Sequence, residues 1–148
     1  MLATSIQRYY FEDLALGMQA SYIHRVSEYD LDTFAALTGD SNPIHLDEEF
    51  ASRSIFKGRI AHGMLTATYI SAILGTRLPG PGAIYISQSL NFRAPVRIGD
   101  EVTATARVAE LFPEKKRALF SCNCSVAGKT VLEGDAVLLV PSRGQPGI

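Results

Sequence analysis

An abrupt change of hydrophobic period at Pro79-Gly80-Pro81-Gly82 constrains the fold of this chain more than any other feature. Before it, residues 62–75 read His-Gly-Met-Leu-Thr-Ala-Thr-Tyr-Ile-Ser-Ala-Ile-Leu-Gly. Apolar side chains surround nearly the whole helical circumference, broken only by Thr66, Thr68 and Ser71. The stretch is too short to cross a bilayer, so a helix of this kind is expected to be buried on most of its sides. After the break the period is two. Residues 83–92, 100–111, 117–126 and 130–140 read as strands. The clearest alternates Val102, Ala104, Ala106 and Val108 against Thr103, Thr105 and Arg107. One central helix followed by a run of antiparallel strands predicts an α+β domain, a curved antiparallel sheet wrapped around a central long helix.

Upstream, residues 19–26 can form a strand, and Ser27 is an N-cap for a helix over 28–38 that includes Phe34 and Leu37. A bend and a second short helix through Glu48, Phe50 and Ala51 follow. The expected organisation is a single domain over 1–148, with a core at 11–141 and a flexible Gly- and Pro-rich tail at 142–148. A chain of 148 residues is long enough to bury a core of its own. A net charge of −1 gives no electrostatic reason to expect nucleic acid or an anionic membrane as partner. Arg8, Glu12 and Asp13 interrupt the N-terminal segment, which is not expected to act as a targeting signal. Cys122 and Cys124 share one strand face; a disulfide between them would be strained and no second pair supplies zinc spacing. They read as reduced thiols near the core, which fits the cytoplasm.

The chemistry concentrates in Gly39-Asp40-Ser41-Asn42-Pro43-Ile44-His45-Leu46-Asp47. Pro43 lacks an N–H and pushes Asn42 out of the helical region, so Asp40 and His45 cannot lie along one continuous helix. A bend between them can aim carboxylate and imidazole at one point. Alone, Gly-Asp-Ser-Asn would read as a turn with a capping carboxylate, and His45 as a turn-closing side chain. A second segment, Gly58-Arg59-Ile60-Ala61-His62-Gly63-Met64, is a glycine-bracketed start to the long helix, where backbone N–H groups stand free. An acid/base pair beside a helix N-terminus can move a proton next to a developing oxyanion. His62 reads as structural at that helix start, and His24 lies in a strand with no role.

With these motifs placed, the chain resembles the MaoC-like branch of the hot-dog fold, and within it the single-domain (R)-specific enoyl-CoA hydratases. The resemblance rests on Phe34-Ala35-Ala36-Leu37 ahead of Asp40, Asn42-Pro43, His45-Leu46-Asp47, Ala61-His62-Gly63-Met64-Leu65 and Leu78-Pro79-Gly80. It continues through Tyr85, Gln88-Ser89-Leu90, Phe92, Pro95-Val96 and Gly99-Asp100-Glu101-Val102 to the closing stretch at 134–141, in order over residues 11–141. It implies hydration of a trans-2-enoyl-CoA to an (R)-3-hydroxyacyl-CoA and the reverse dehydration, within fatty acid metabolism and polyhydroxyalkanoate precursor supply. The short pair crotonyl-CoA and (R)-3-hydroxybutyryl-CoA is the expected substrate and product.

In that reading Asp40 and His45 hold a water against C3, the Gly63 N–H receives the charge growing on the thioester oxygen, and Ser71 supports the pair. Leu74 and Val137 would close the acyl pocket, while Arg59, Arg93 and Arg97 are candidates for the phosphates or adenine of coenzyme A. No metal or cofactor is expected, coenzyme A entering only with the substrate. A homodimer, or a multiple of one, is expected, because a partner usually covers the open edge of such a sheet. Two alternatives stand beside it: a hot-dog acyl-CoA thioesterase, which does not usually carry the Asp-x-Asn-Pro-x-His pair, and a non-catalytic acyl-CoA-binding module, which would need an output domain.

Overall fold

The period-two half of the chain, joined by one strand from upstream, forms one open antiparallel sheet of six strands. They are β1 (Gln19–Arg25), β2 (Ile84–Gln88), β3 (Asn91–Phe92), β4 (Glu101–Phe112), β5 (Arg117–Val126) and β6 (Lys129–Leu139). The order is β1-β4-β5-β6-β2, and β3 also pairs with β6. The helices are α1 (Glu28–Thr38), α2 (Pro43–Leu46), α3 (Glu48–Ser52) and α4 (Gly63–Thr76). This is a computed structural model, and it describes residues 6–144.

Alternation decides which face of the sheet is the core. Val102, Ala104, Ala106 and Val108 of β4 are fully buried. In register beside them, Ala104 faces Cys124 and Ala106 faces Cys122 on β5. Small residues there let α4 lie close: Cys124 Sγ comes within 3.9 Å of the Thr66 carbonyl oxygen. Burial pushes the Cys122 thiol up to about 11 and the Cys124 thiol up to about 12. Both are free and protonated at neutral pH, and neither is a candidate nucleophile. The helix on the concave side of a single antiparallel sheet is the hot-dog arrangement.

Three expectations change. The single strand expected over 83–92 is broken after Gln88. Ser89 exchanges hydrogen bonds with Asp135, its N–H to the carbonyl and its Oγ from the N–H, each 2.9 Å. A Cβ on Gly134 would fall 1.8 Å from the Ser89 carbonyl oxygen, so the main chain crosses directly over that glycine and leaves the sheet before β3 resumes. The tail is anchored where it is described: Ser142 is buried, its hydroxyl donating to Glu12 at 3.0 Å, and the Arg143 N–H donates to the same carboxylate at 2.6 Å. Residues 145–148 of the expected flexible tail lie outside the described residues.

The third change concerns α4. Tyr69, Ile70, Ile73 and Leu74 are buried against the sheet, but Met64, Thr68, Ser71 and Gly75 are exposed. One sheet covers one side of a helix, and the opposite side of this apolar helix is open. On α1 likewise, Leu31 and Ala35 are buried while Leu37 faces out. Among the described residues, no helix is long and apolar enough to cross a membrane.

Candidate active site

α1 ends because Gly39 adopts φ +82°, a left-handed conformation that glycine takes without strain. The helix cannot resume until Pro43, which suits its first position, and Asn42 caps the restart by accepting the Ile44 N–H at 3.1 Å. Between the two helices Asp40 is exposed, held by its N–H donating to Thr38 Oγ1 at 3.2 Å. His45 sits inside α2 and is buried. The bend read from Pro43 therefore brings the pair together: the polar atoms of Asp40, His45 and His62 lie within 4.8 Å of one another.

His45 Nδ1 is 2.8 Å from the Ile60 carbonyl oxygen. A carbonyl only accepts, so Nδ1 carries the proton and Nε2 is left with a lone pair. Burial lowers the His45 pKa; the Ile60 hydrogen bond opposes this, the neighbouring His62 adds to it, and Asp40 opposes it. The net direction is downward, which keeps the imidazole neutral and available as a base near pH 7.

Gly63 opens α4. The N–H groups of Leu65 and Thr66 both return to the His62 carbonyl, which leaves those of Gly63 and Met64 ahead of the first helical bond. A Cβ on Gly63 would meet the Phe92 ring at 2.6 Å, so any side chain there would have to displace that ring. Asp40, His45 and Gly63 border one cavity of about 530 Å³, with Phe56, Met64, Phe92, Val131 and Leu132 supplying apolar walls. That volume lies in the range of small-molecule sites, about 300–1,000 Å³.

Five expected site residues are placed outside the cavity. Arg59 does not face solvent or the cavity: its Nε donates to the His45 carbonyl at 2.7 Å, and its two terminal nitrogens reach Glu28 at 3.0 Å and Asp32 at 3.3 Å on α1. It fastens the turn that carries His45 to α1. Leu74 is fully buried in the core against the sheet, and Val137 on β6 also lies outside the cavity lining. Ser71 is exposed, eight residues along α4 from Gly63, or about 12 Å at 1.5 Å per residue, and does not line the cavity. Of the remaining arginines, Arg93 lines the cavity and pairs with Glu133 at 3.3 Å, whereas Arg97 is exposed outside it.

Phe56, Phe92, Val131 and Leu132 carried no role in the sequence because their meeting depends on the path of the chain past Gly134. Arg59 did have a signal. Glu28 and Asp32 are four apart on one helical face and call for a cation.

Two histidines and a carboxylate this close also resemble a metal donor set. The His45 and His62 rings, however, lie one over the other, 3.9 Å between centroids and 29° between planes. Their planes meet only well beyond both rings, so one ion cannot lie in both planes at bonding distance without a ring turning. The donors as arranged do not fit a metal.

The model of the MaoC like domain matches residues 16–133. The chain is 56% identical over 144 residues to an (R)-specific enoyl-CoA hydratase of Rhodospirillum rubrum, covering 97% of this chain and 100% of that protein. It is 58% identical over 134 residues to a 3-hydroxybutyryl-CoA dehydratase of Methylorubrum extorquens, covering 90% and 85% respectively. Among solved structures, the unliganded R-hydratase PhaJ1 of Pseudomonas aeruginosa superposes with a TM-score of 0.88 at 40% identity, covering 97% of each chain.

Proposed function

Since the chain belongs to the MaoC-like family, we propose that it catalyses the (R)-specific addition of water to trans-2-enoyl-CoA, and the reverse dehydration, as a hydro-lyase. The observation that carries this reading is the pairing of a neutral His45, whose Nε2 is unbonded among the described residues, with the Asp40 carboxylate beside the N–H groups of Gly63 and Met64 that precede the first helical bond. A water donating one proton to His45 Nε2 and the other to Asp40 has its oxygen lone pair free to attack C3. The electron pair of the double bond moves onto the thioester oxygen, where the Gly63 N–H and the helix N-terminus stabilise it. The proton taken by the pair then returns to C2, which regenerates the neutral imidazole and completes the 3-hydroxyacyl thioester. One such oxyanion donor is worth about 2.7–4 kcal/mol, and a positioned acid/base group about 10²–10⁴-fold. The chemistry requires no metal or redox group.

Short acyl chains are the favoured substrates, crotonyl-CoA and (R)-3-hydroxybutyryl-CoA first, on the strength of the 58% identity to a protein named for that reaction. Because Leu74 is core, the length limit falls to Phe56, Phe92, Val131 and Leu132 on the cavity wall. Arg93 at the cavity is the candidate contact for the coenzyme A phosphates.

The protein acts as a homodimer in the cytoplasm. β2 is an edge strand with Ile84, Tyr85 and Ile86 all exposed, and Met64 on the open side of α4 is 54% exposed. A second copy would cover such surfaces. Ser71 lies on that open side of α4, where a second copy would cover it. Light scattering should give a dimer or a multiple; a single 16.1 kDa species at working concentration would contradict it.

One assay separates the competing activities. With crotonyl-CoA, hydration removes the absorbance of the conjugated enoyl thioester and releases no thiol. Absorbance loss matched by an equal release of thiol would identify a thioesterase, and no change in either would leave a binding module.

A further inference from the structure

His62 is almost completely buried, at 1% exposure, and is the N-cap residue of α4, yet its side chain makes no capping bond. Helix starts favour Ser, Thr, Asp or Asn at that place because a short side-chain oxygen can accept an orphan N–H. This histidine forgoes that and turns the other way. Its Nε2 donates to the Asp40 carbonyl oxygen at 3.0 Å, one face of its ring lies on His45, and its centroid is 4.8 Å from that of Phe34 on α1. Nδ1 has no hydrogen-bond partner among the described residues.

We infer that His62 is a positioning residue for hydration: its Nε2–H fixes the main chain of Asp40, and its ring fixes the plane of the His45 imidazole, so that both acceptors face one water. The inference rests on the hydratase reading. Its physical basis is the small number of anchors the pair otherwise has. Asp40 is exposed, and its carboxylate receives only a long contact from the Asn42 N–H at 3.4 Å. The His45 side chain is tied at Nδ1 alone, which leaves the ring free to tilt about that bond unless a neighbour holds its face. His62 supplies both missing restraints from one rigid helix start. A misplacement of about 1 Å in such a pair can cost about 100-fold in rate.

Two substitutions separate the two contacts. His62→Gln keeps an N–H donor at comparable reach but removes the ring, while His62→Phe keeps a ring and removes the donor. Each should lower kcat by about 10–100-fold with KM within about threefold, since neither contact is to the substrate. The second readout is the acid limb of kcat/KM, followed together with the titration of the His45 ring by NMR. The charged and titratable groups facing His45 are Asp40 from the turn, His62 from the start of α4 and Arg59 at its carbonyl, with Glu28 and Asp32 of α1 beyond the guanidinium. Proximity to His62 is one cause that lowers the His45 pKa, so both variants should move the acid limb and the ring titration upward.

A His62 that merely supports the fold would lower the melting temperature and leave both kcat per folded molecule and the acid limb unchanged. Folded variants with kcat within about twofold of wild type and an unmoved acid limb would overturn the inference. Should His62→Phe fail to fold, the near-isosteric His62→Gln decides by the same criteria. A wild-type protein without hydratase activity would overturn the functional reading itself, whereas an active wild type with indifferent variants overturns only the role of His62.

Discussion

Two clusters of the same residue types stand at opposite ends of α1. At its start, His24 of β1 bonds Asp30 at 2.7 Å, with Tyr22 and Tyr69 against the imidazole at ring distances of 6.1 and 5.0 Å. Beyond its end, Asp40, His45 and His62 gather on the turn and the start of α4. In the first cluster the imidazole and the carboxylate are both spent internally: the two His24 nitrogens face Tyr22 and Asp30, and Asp30 also accepts the Ser27 N–H at 2.9 Å as part of a capping box, which leaves the buried Tyr69 hydroxyl, not the acid/base pair, without a partner among the described residues. Burial works against the Asp30 charge, but hydrogen bonds from His24 and Ser27 outweigh it and hold the carboxyl below its usual range. In the second cluster His45 spends one nitrogen on a carbonyl and keeps the other. Its aspartate is left unpaired by any cation among the described residues, and both border a cavity of about 530 Å³. The residue types do not distinguish catalysis from structure here. What remains unbonded, and facing open space, does.

The largest effect expected from that contrast is on turnover. Asp40→Asn and His45→Gln should each reduce kcat by about 10²–10⁴-fold with native circular dichroism, while His24→Gln stays within about threefold. The double variant should lose little beyond the worse single one, as members of one catalytic unit are not additive. Because His45 is held below its ordinary value of about 6.5, it is neutral at pH 7. The acid limb of kcat/KM should therefore fall below pH 6.5 and disappear in His45→Gln.

Leu74→Ala lies outside both clusters and should cost about 2–5 kcal/mol of stability by denaturant titration, with the C4, C6 and C8 preference unchanged. Phe92→Ala, on the cavity wall, is the change expected to extend that preference. A Leu74→Ala variant that favours longer chains would return that residue to the acyl pocket.

Arg59→Met probes how firmly the second cluster is fastened. Loss of the charge-assisted bond to the His45 carbonyl should cost about 1.5–3 kcal/mol and lower kcat about tenfold, with KM little changed. An arginine bound to coenzyme A would instead raise KM. The smallest effect belongs to the closed cluster: Asp30→Asn should cost about 1 kcal/mol near pH 7 and leave kcat alone. A carboxylate depressed in the folded state stabilises above its unfolded pKa and loses that contribution as pH falls through the folded value. The gap between wild type and Asp30→Asn should therefore close in acid.

Much of this architecture could be read from the chain because the signals are local. Ser27 and Gly39 bracket α1 at 28–38, Pro43 forces the bend between Asp40 and His45, and strict alternation gives β4, β5 and β6 to within a residue or two. What stayed hidden depends on contacts distant in sequence. The crossing of Ser89 over Gly134 breaks the strand expected over 83–92. The pairing of Arg59 with Glu28 and Asp32 removes an expected substrate contact. Leu74 and Val137 look alike as branched apolar residues whether they close a pocket or fill a core, and only the side of α4 and β6 that they occupy tells the two apart. The helix over 62–75 reads as buried on most of its sides because it is apolar nearly all round, yet the sheet covers only one side and leaves Ser71 exposed.

The most direct test of the account is the hand of the alcohol that Asp40 and His45 produce. Crotonyl-CoA is incubated with the protein and NAD⁺, together with either an (S)-specific or an (R)-specific 3-hydroxyacyl-CoA dehydrogenase. The account predicts loss of enoyl absorbance in both, with NADH formed only beside the (R)-specific enzyme. NADH beside the (S)-specific enzyme would contradict it.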